Sequence, residues 1–174
     1  MSKIILQCAI SKDGFIARKD GTFDFLSMPT DEAFQEYFNQ FLNQIDIIVM
    51  GYHTFDVIKQ FGPLPFENIK KSVFTRHHLN VEVDGVTFTN QSIESFVKTN
   101  QQTVWLFGGV DLFTQFLEID AIDEIHVYQE LISIGDGIPL FHRKDWKKKY
   151  EKPELTNYQQ GRLLKYKKKN TLDQ

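Results

Sequence analysis

Three short segments that could bind phosphate each follow an apolar run typical of a buried strand. They are Gly51-Tyr52-His53-Thr54, Thr75-Arg76-His77-His78 and Gly108-Gly109. Glycine lets a ligand approach the backbone closely, the first N–H groups of a helix attract anions, and an arginine guanidinium binds phosphate. Because ligands of open α/β sheets bind beyond the carboxyl ends of the strands, the segments together predict a site for a dinucleotide with an additional phosphate.

The strand–Gly-Gly–helix arrangement is the most informative of the three segments. A helical pattern that begins with Val110, Asp111 and Leu112 follows Gly108-Gly109 directly. No Gly-x-Gly-x-x-Gly fingerprint is present and no Gly-Lys-Ser/Thr follows, so the sequence carries neither the Rossmann nor the P-loop motif. The alternative interpretation is a tight strand-to-helix turn that binds no ligand, and for His53 it is a surface or capping histidine.

The remaining polar residues offer less chemistry. Asp31 follows Pro29-Thr30 at the start of an aromatic helical pattern, where an aspartate is usually an N-cap; the functional alternative is an acid that binds or protonates a nitrogen heterocycle. His77 and His78 are adjacent, point to opposite faces of an extended chain and have no third ligand at metal-like spacing, so we expect no zinc. A single cysteine, Cys8, excludes an intrachain disulfide and a multi-thiolate metal site.

Length and composition fit an ordinary globular domain, which we place at residues 1–170. The chain has 174 residues, of which 41% are hydrophobic and 25% charged. No apolar run is long enough for a membrane span and the N-terminus does not resemble a signal peptide, so we expect a cytoplasmic protein.

Residues 143–169 contain 11 Lys/Arg against 3 Asp/Glu. No nucleic-acid motif accompanies this charge, and we interpret it as the solvated faces of outer strands rather than a nucleic-acid surface.

Apolar periodicity predicts the elements that position these residues: a three-layer α/β domain with about eight strands and about four helices. The strands are expected near Lys3–Ile10, Ile45–Met50, Lys71–Thr75, Val86–Thr89, Thr103–Phe107, Glu124–Ile134, Lys147–Leu155 and Arg162–Lys168. Helices are expected at Thr30–Gln44, after Gly51, at Ile93–Lys98 with Ser92 as cap, and after Gly109. Because no helix separates the last strands, we expect an antiparallel edge on a parallel core.

Six segments of the chain resemble segments of the dihydrofolate reductase-like superfamily and occur in the same order as in that superfamily. The similarity is greatest to small stand-alone proteins like the C-terminal reductase domain of the bifunctional riboflavin-biosynthesis deaminase–reductase (RibD). The segments are Ala9-Ile10-Ser11-Lys12-Asp13-Gly14-Phe15-Ile16-Ala17, Ile48-Val49-Met50-Gly51-Tyr52-His53-Thr54-Phe55, Val73-Phe74-Thr75-Arg76, Val104-Trp105-Leu106-Phe107-Gly108-Gly109, Ile122-Asp123-Glu124-Ile125 and Gly135-Asp136-Gly137-Ile138-Pro139-Leu140-Phe141.

The resemblance implies an eight-stranded mixed sheet flanked by helices, NADPH as hydride donor, and a homodimer. It places Ala9 and Ile16 near the nicotinamide, and Thr75 and Arg76 by the adenosine and its 2′-phosphate. The remaining cofactor-binding residues that it implies are Gly51, His53, Thr54, Phe107, Gly108, Gly109, Val110, Asp111 and Leu112. Gly108, Gly109 and the helix start would hold the pyrophosphate, and the Gly-Gly bond of this family is often cis.

Departures from the family pattern concern the substrate. The riboflavin enzymes usually have Lys where this chain has Gln7, Glu where it has Phe107, and Asp-Asn-Pro where it has Ile58-Lys59-Gln60. The zinc signature of the deaminase half cannot be built from one cysteine. The sequence thus predicts NADPH-dependent hydride transfer to a small heterocyclic substrate, resembling the riboflavin-pathway reductase. The alternatives are a dihydrofolate reductase acting on a pterin, with Asp31 as catalytic acid, and a catalytically inactive nucleotide-binding module.

Overall fold

Strands and helices alternate over the first two thirds of the chain in the computed structural model, which describes residues 2–170 and residue 172. The α-helices of this part are α1 (Glu32–Asn43), α2 (Tyr52–Gln60), α3 (Ile93–Thr99) and α4 (Val110–Glu118). The strands of the described chain are β1 (Lys3–Ile10), β2 (Phe15–Ala17), β3 (Ile47–Gly51), β4 (Lys70–Phe74), β5 (Val86–Thr89), β6 (Thr103–Gly108), β7 (Glu124–Glu130), β8 (Ile138–Pro139), β9 (Glu154–Asn157) and β10 (Gly161–Lys167).

Eight strands form one mixed sheet in the order β5-β4-β3-β6-β1-β7-β10-β9. The first six strands of this order are parallel to one another, and β10 is antiparallel to both of its neighbours. The prediction of an antiparallel edge on a parallel core is confirmed. The eight-stranded mixed sheet with four helices is also as predicted, and a small pair, β2 with β8, lies outside the main sheet.

The two faces of the sheet bury separate cores, which is why the central strands are apolar on both sides. Ile4 and Leu6 of β1 pack toward α3 and α4, in the cluster that contains Phe96 and Phe113. Ile5, between them, packs on the opposite face with the aromatic residues of α1 and α2. We call this second side the α1 face; its sheet residues include Gln7, Ala9, Trp105, Phe107, His126 and Tyr128.

The helices begin in two different ways. The Asp31 side chain caps α1 by accepting from the Phe34 N–H at 2.8 Å, and Ser92 caps α3 by accepting from the Ser95 N–H at 3.1 Å. The expected caps are therefore present. In contrast, α2 and α4 have Gly51 and Gly109 as their N-cap residues, and neither helix is capped by a side chain that the structure describes. The first N–H groups of these two helices are thus left without a side-chain acceptor.

Two strand predictions are wrong in their bounds. The strand expected at Glu124–Ile134 ends at Glu130, because the Asp13 carboxylate accepts from the backbone N–H groups of Ile134 and Gly135 and holds the chain in a turn. The strand expected at Lys147–Leu155 starts only at Glu154.

A 3₁₀ turn, Trp146–Lys149, takes the place of the first part of that second strand. Lys149 Nζ donates to the Leu117 carbonyl, and the Tyr150 hydroxyl donates to the Ile122 carbonyl at 2.9 Å. These bonds hold the turn against the end of α4. Tyr150, directly after the turn, forms an isolated antiparallel bridge with Lys168. None of the helices described is long and apolar enough to cross a membrane.

Candidate active site

The three segments singled out in the sequence meet at one edge of the sheet. They follow β3, β4 and β6, and β3 pairs with both of the others. Gly51 lies opposite Phe74 in the register, and Met50 lies opposite Gly108. Because these strands are parallel, their carboxyl ends and the turns that follow lie side by side. β1, which carries Ala9, is the next strand along.

Three glycines, Gly51, Gly108 and Gly109, form what we call the glycine edge. The Gly108–Gly109 peptide bond is cis, and Gly108 has a φ of 152°, which favours glycine. Thr54 of α2 lies against this turn: its Oγ1 is 3.6 Å from the position of a Cβ on Gly108 and 3.4 Å from one on Gly109. The Phe113 N–H donates to the Gly109 carbonyl at 2.9 Å and so begins α4 at the turn.

Protein packing does not require glycine at Gly51 or Gly109. A Cβ on Gly51 would meet nothing nearer than the Gly108 carbonyl oxygen at 3.9 Å, and neither glycine has a positive φ. By contrast, a Cβ on Gly137 would lie 2.4 Å from the Ala17 carbonyl oxygen, and one on Gly161 would lie 2.5 Å from the Gln129 carbonyl oxygen. The glycine edge thus leaves room for another group to approach the backbone.

The end of β4 supplies polar and cationic groups. Thr75 is buried, and its Oγ1 accepts from the backbone N–H groups of His77 at 3.4 Å and His78 at 3.2 Å. The His78 ring stacks on Tyr52, with ring centroids 3.8 Å apart and planes 7° apart. Arg76 is exposed and forms no ion pair with a described residue. Its guanidinium is therefore free to bind an anion.

The first residues of α2 and α4 differ in which groups they can offer to a ligand. Val110 and Leu112 are buried, so their side chains serve the core and their backbone N–H groups remain for a ligand. Asp111 is exposed, and its carboxylate is bonded to Nε2 of His142 at 2.7 Å. His53 is exposed in the first turn of α2.

The residues expected near a nicotinamide lie at and beyond the end of β1. Ala9 is on the α1 face, opposite Tyr128 in the register. Ile16, in β2, packs instead with the cluster on the other face. Phe107 is half-buried on the α1 face, with its ring centroid 4.9 Å from that of Trp105.

Asp31 is primarily the N-cap of α1, as its usual role predicts. Its Oδ1 accepts from the Phe34 N–H, while its Oδ2 is buried and has no partner among the described residues. The buried Tyr128 hydroxyl also lacks one. Burial raises the pKa of Tyr128 to about 12, and the carboxylates of Glu130 and Asp31 add to the effect. Two buried polar atoms near the start of α1 are therefore without a protein partner among the described residues, which is uncommon for buried polar groups.

A group of hydrogen-bonded residues on the α1 face was missed by reasoning from sequence. Tyr37 of α1 bonds through its hydroxyl to Nδ1 of His126 at 3.0 Å, and Nε2 of His126 lies 2.8 Å from Oε2 of Glu124. The hydrogen bond from His126 lowers the pKa of Glu124 to about 2, and Lys3, 2.6 Å away, assists. A histidine between the apolar Ile125 and Val127 was the available signal, because a buried histidine needs partners.

Comparison with known proteins gives one family for almost the whole chain. Residues 2–166 match the model of the RibD C-terminal domain. YwjB, an uncharacterized protein of Bacillus subtilis (strain 168), is 32% identical over 166 residues, which cover 92% of this chain and 88% of YwjB.

Solved structures share the fold. The Thermotoga maritima diaminohydroxyphosphoribosylaminopyrimidine deaminase/5-amino-6-(5-phosphoribosylamino)uracil reductase is similar with a TM-score of 0.72 and 16% identity, over 96% of this chain and 56% of that one. The dihydrofolate reductase of Enterococcus faecalis, solved with NADP(H), is similar with a TM-score of 0.65 and 17% identity, over 97% of both chains. The architecture is therefore the α/β fold of the dihydrofolate reductases.

Proposed function

The chain belongs to the RibD C-terminal domain family, and from this premise we propose that it is an NADPH-dependent reductase of a small, flat heterocyclic substrate. The observation that carries the proposal is the glycine edge. The N-termini of α2 and α4, which carry no side-chain cap from a described residue, lie there at the ends of adjacent strands, and Gly51 and Gly109 leave room for a ligand atom close to the backbone. Such N-termini bind phosphate through backbone N–H groups and the helix dipole.

The residues at this edge fit a dinucleotide. The first turn of α4, from Gly109 to Leu112, would hold one end of the pyrophosphate, and Gly51 with Thr54 would face its other side. Arg76 and Thr75 would bind the 2′-phosphate, and Arg76 has no competing ion pair among the described residues. A charge-assisted hydrogen bond of this kind is worth about 1.5–3 kcal/mol.

The task of this chain in the reaction is to hold donor and acceptor in register. NADPH, when bound, supplies the hydride. Ala9 and Ile16 would border the nicotinamide, and Phe107 on the neighbouring strand would stack on a flat acceptor ring. The reacting carbons must be held roughly 3–3.5 Å apart, which is a matter of rigid positioning by β1 and β6.

The α1 face supports a heterocycle more than a ribosyl phosphate. Gln7 and Phe107 offer no charge. Asp31 Oδ2 and the Tyr128 hydroxyl are buried without partners among the described residues, and their oxygens would suit a ring N–H or amino group. This observation favours a pterin as the second candidate substrate, with Asp31 as anchor or acid. On the family resemblance alone, we also propose that residues 1–170 form one reductase domain that acts as a homodimer in the cytoplasm.

Titration calorimetry with NADPH and NADH tests the cofactor assignment. Wild-type protein is expected to prefer NADPH, and Arg76→Glu should weaken NADPH binding at least about tenfold while leaving NADH binding unchanged. Arg143→Glu is the matched control, because Arg143 is also exposed but pairs with Asp145 away from the strand ends. Equal affinities of wild type and Arg76→Glu for NADPH would remove Arg76 from the 2′-phosphate site.

Loss of NADPH absorbance tests the reaction, with dihydrofolate and 5-amino-6-(5-phosphoribosylamino)uracil as the two acceptor probes. Turnover of either probe supports a reductase and identifies its substrate class. NADPH binding with no turnover of any heterocycle tried would instead indicate a nucleotide-binding module without catalysis. Absence of binding by both nucleotides would contradict the reductase altogether.

A further inference from the structure

A continuous chain of hydrogen bonds leads from solvent to the interior of the α1 face. It starts at Lys3, whose side chain is 39% exposed and whose Nζ lies 2.6 Å from Oε1 of Glu124. The other oxygen of Glu124 lies 2.8 Å from Nε2 of His126, and Nδ1 of His126 lies 3.0 Å from the Tyr37 hydroxyl. The side chains of Glu124 and His126 are 16% and 5% exposed, so the inner part of the chain is shielded from water.

The partners fix which atoms carry protons. A carboxylate only accepts, so Nε2 of His126 must donate to Glu124. When His126 is neutral, its Nδ1 accepts from the Tyr37 hydroxyl; when His126 is charged, Nδ1 donates and the hydroxyl proton is free to point elsewhere. The arrangement is carboxylate, imidazole and hydroxyl in a line, which is the geometry that lets a hydroxyl give up a proton and regain one.

The inner end of the chain lies beside the proposed hydride-transfer position. Gln7 of β1 lies directly opposite His126 of β7 in the register of the sheet. Gln7 is two residues before Ala9 on the same face of β1, which is roughly 6–7 Å along a strand. Phe107 lies on this face of the adjacent strand β6. Gln7 itself has no proton to transfer at ordinary pH, so Tyr37 is the group at this position that can supply one.

We propose that Tyr37 is the proton donor of the reduction and is reloaded from His126, whose charged form the Glu124 carboxylate stabilises; this rests on the proposed function. The hydride adds to the carbon of a substrate C=N or C=O bond, and the heteroatom takes the Tyr37 hydroxyl proton as its π-bond breaks. In the same step Tyr37 oxygen accepts the Nδ1 proton of charged His126. Once the product has left, a proton from solvent in the emptied site passes through the Tyr37 hydroxyl to Nδ1 of His126, while Nε2 keeps its proton toward Glu124. The oxidised cofactor leaves as NADP⁺.

We call the hydrogen-bonded residues Glu124, His126 and Tyr37 the relay, and the groups around it favour a concerted transfer of the two protons. Burial raises the pKa of Tyr37, so a free tyrosinate would be costly to form. The tyrosinate is avoided when Tyr37 receives a proton from His126 while it gives its own proton to the substrate. Lys165, opposite His126 in the register, holds its Nζ 5.2 Å from the centroid of the Tyr37 ring. The titratable or charged groups that face Tyr37 and His126 are Lys3 from β1, Glu124 from β7, Lys165 from β10 and Tyr158 from the turn between β9 and β10. Cys8 of β1 packs on the opposite face of the sheet.

The test compares Tyr37→Phe with Tyr150→Phe. Both remove one hydrogen-bonded tyrosine hydroxyl, but Tyr150 donates to the Ile122 carbonyl on the opposite face of the sheet. Turnover of whichever probe wild type reduces, dihydrofolate or 5-amino-6-(5-phosphoribosylamino)uracil, is followed between pH 5 and 9 with calorimetric NADPH binding alongside. We expect Tyr37→Phe to lower kcat about 100-fold with unchanged NADPH affinity, and Tyr150→Phe to keep the wild-type kcat.

His126→Gln separates relay from packing, because glutamine keeps a donor and an acceptor but has no proton that titrates. Wild-type kcat should fall as pH rises past the deprotonation of the relay, and His126→Gln should show a lower kcat without that pH dependence. Wild-type kcat in Tyr37→Phe would overturn the relay and leave the reductase intact. No turnover by wild type with either probe would overturn the reductase, and the relay with it.

Discussion

The glycine edge and the α1 face use opposite means to build a site. At Gly51 and Gly109 the nearest protein atoms leave room for a Cβ, and the groups on offer are backbone N–H donors. On the α1 face, Gly161 has no such room, since a Cβ there would lie 2.5 Å from the Gln129 carbonyl and 2.7 Å from the Tyr128 ring. The groups on offer there are side chains, such as Asp31, Tyr37 and Tyr128.

Because of this difference, substitutions affect the chemistry of the two regions differently. A cradle made of backbone donors depends on strand order and glycine, so it survives changes of side chain. A pocket made of packed side chains changes chemistry with each substitution, as Gln7 and Phe107 show against the riboflavin-enzyme pattern. The cofactor is therefore expected to be the shared property of the family, and the substrate the variable one.

The largest expected effect comes from Gly161→Ala. The new methyl group would collide with backbone on the adjacent strand β7, so we expect a loss of about 3 kcal/mol in unfolding free energy. Gly51→Ala is the contrasting variant, expected to stay within about 1 kcal/mol of wild type while NADPH binding weakens. Urea denaturation and calorimetry measure the two quantities. Equal destabilisation by both variants would show that the two regions do not differ in packing.

A smaller effect on the unfolding free energy is expected at acidic pH, where Glu124 becomes protonated. The pKa of Glu124 is lowered to about 2 in the folded protein, below its value in an unfolded chain, so its stabilisation is present above about pH 4.5 and is lost as pH falls toward 2. Comparison of urea midpoints at pH 7 and pH 3 should show a loss that is smaller in Glu124→Gln, by on the order of 2 kcal/mol. Parallel pH curves for the two proteins would mean that this carboxylate contributes nothing to the α1 face.

The smallest effect separates the two roles of Asp31. Asp31→Ala removes the N-cap of α1 and is expected to cost about 1 kcal/mol in unfolding free energy, whereas Asp31→Asn keeps a capping oxygen and should be close to wild type. If Asp31 also anchors the substrate, both variants lose turnover, because neither has the charge. Full activity of Asp31→Asn would leave Asp31 as a cap alone.

Local patterns predicted the glycine edge because all of its parts are contiguous in sequence. Each strand, its terminal glycine or threonine and the helix that follows are read from a few neighbouring residues, and the strand at Val86–Thr89 and the cap Ser92 were also correct. The errors fell where distant residues compete for the backbone. The Asp13 carboxylate holds the turn that follows β7 from more than 100 residues away, and the Leu117 carbonyl binds Lys149 of the 3₁₀ turn, where the residue pattern predicted a strand.

The sequence by itself thus determined the fold family, the order of strands and helices, and the positions of the three segments predicted to bind phosphate. These features follow from apolar periodicity and glycine placement, which act over short distances along the chain. Only the tertiary structure decided that Gly51 and Gly109 have room for a Cβ while Gly161 does not, and that one Asp31 oxygen is without a partner among the described residues. It alone joined Lys3, Glu124, His126 and Tyr37 across three elements, because hydrogen bonds between distant residues follow from strand pairing and helix packing, which a linear pattern does not record.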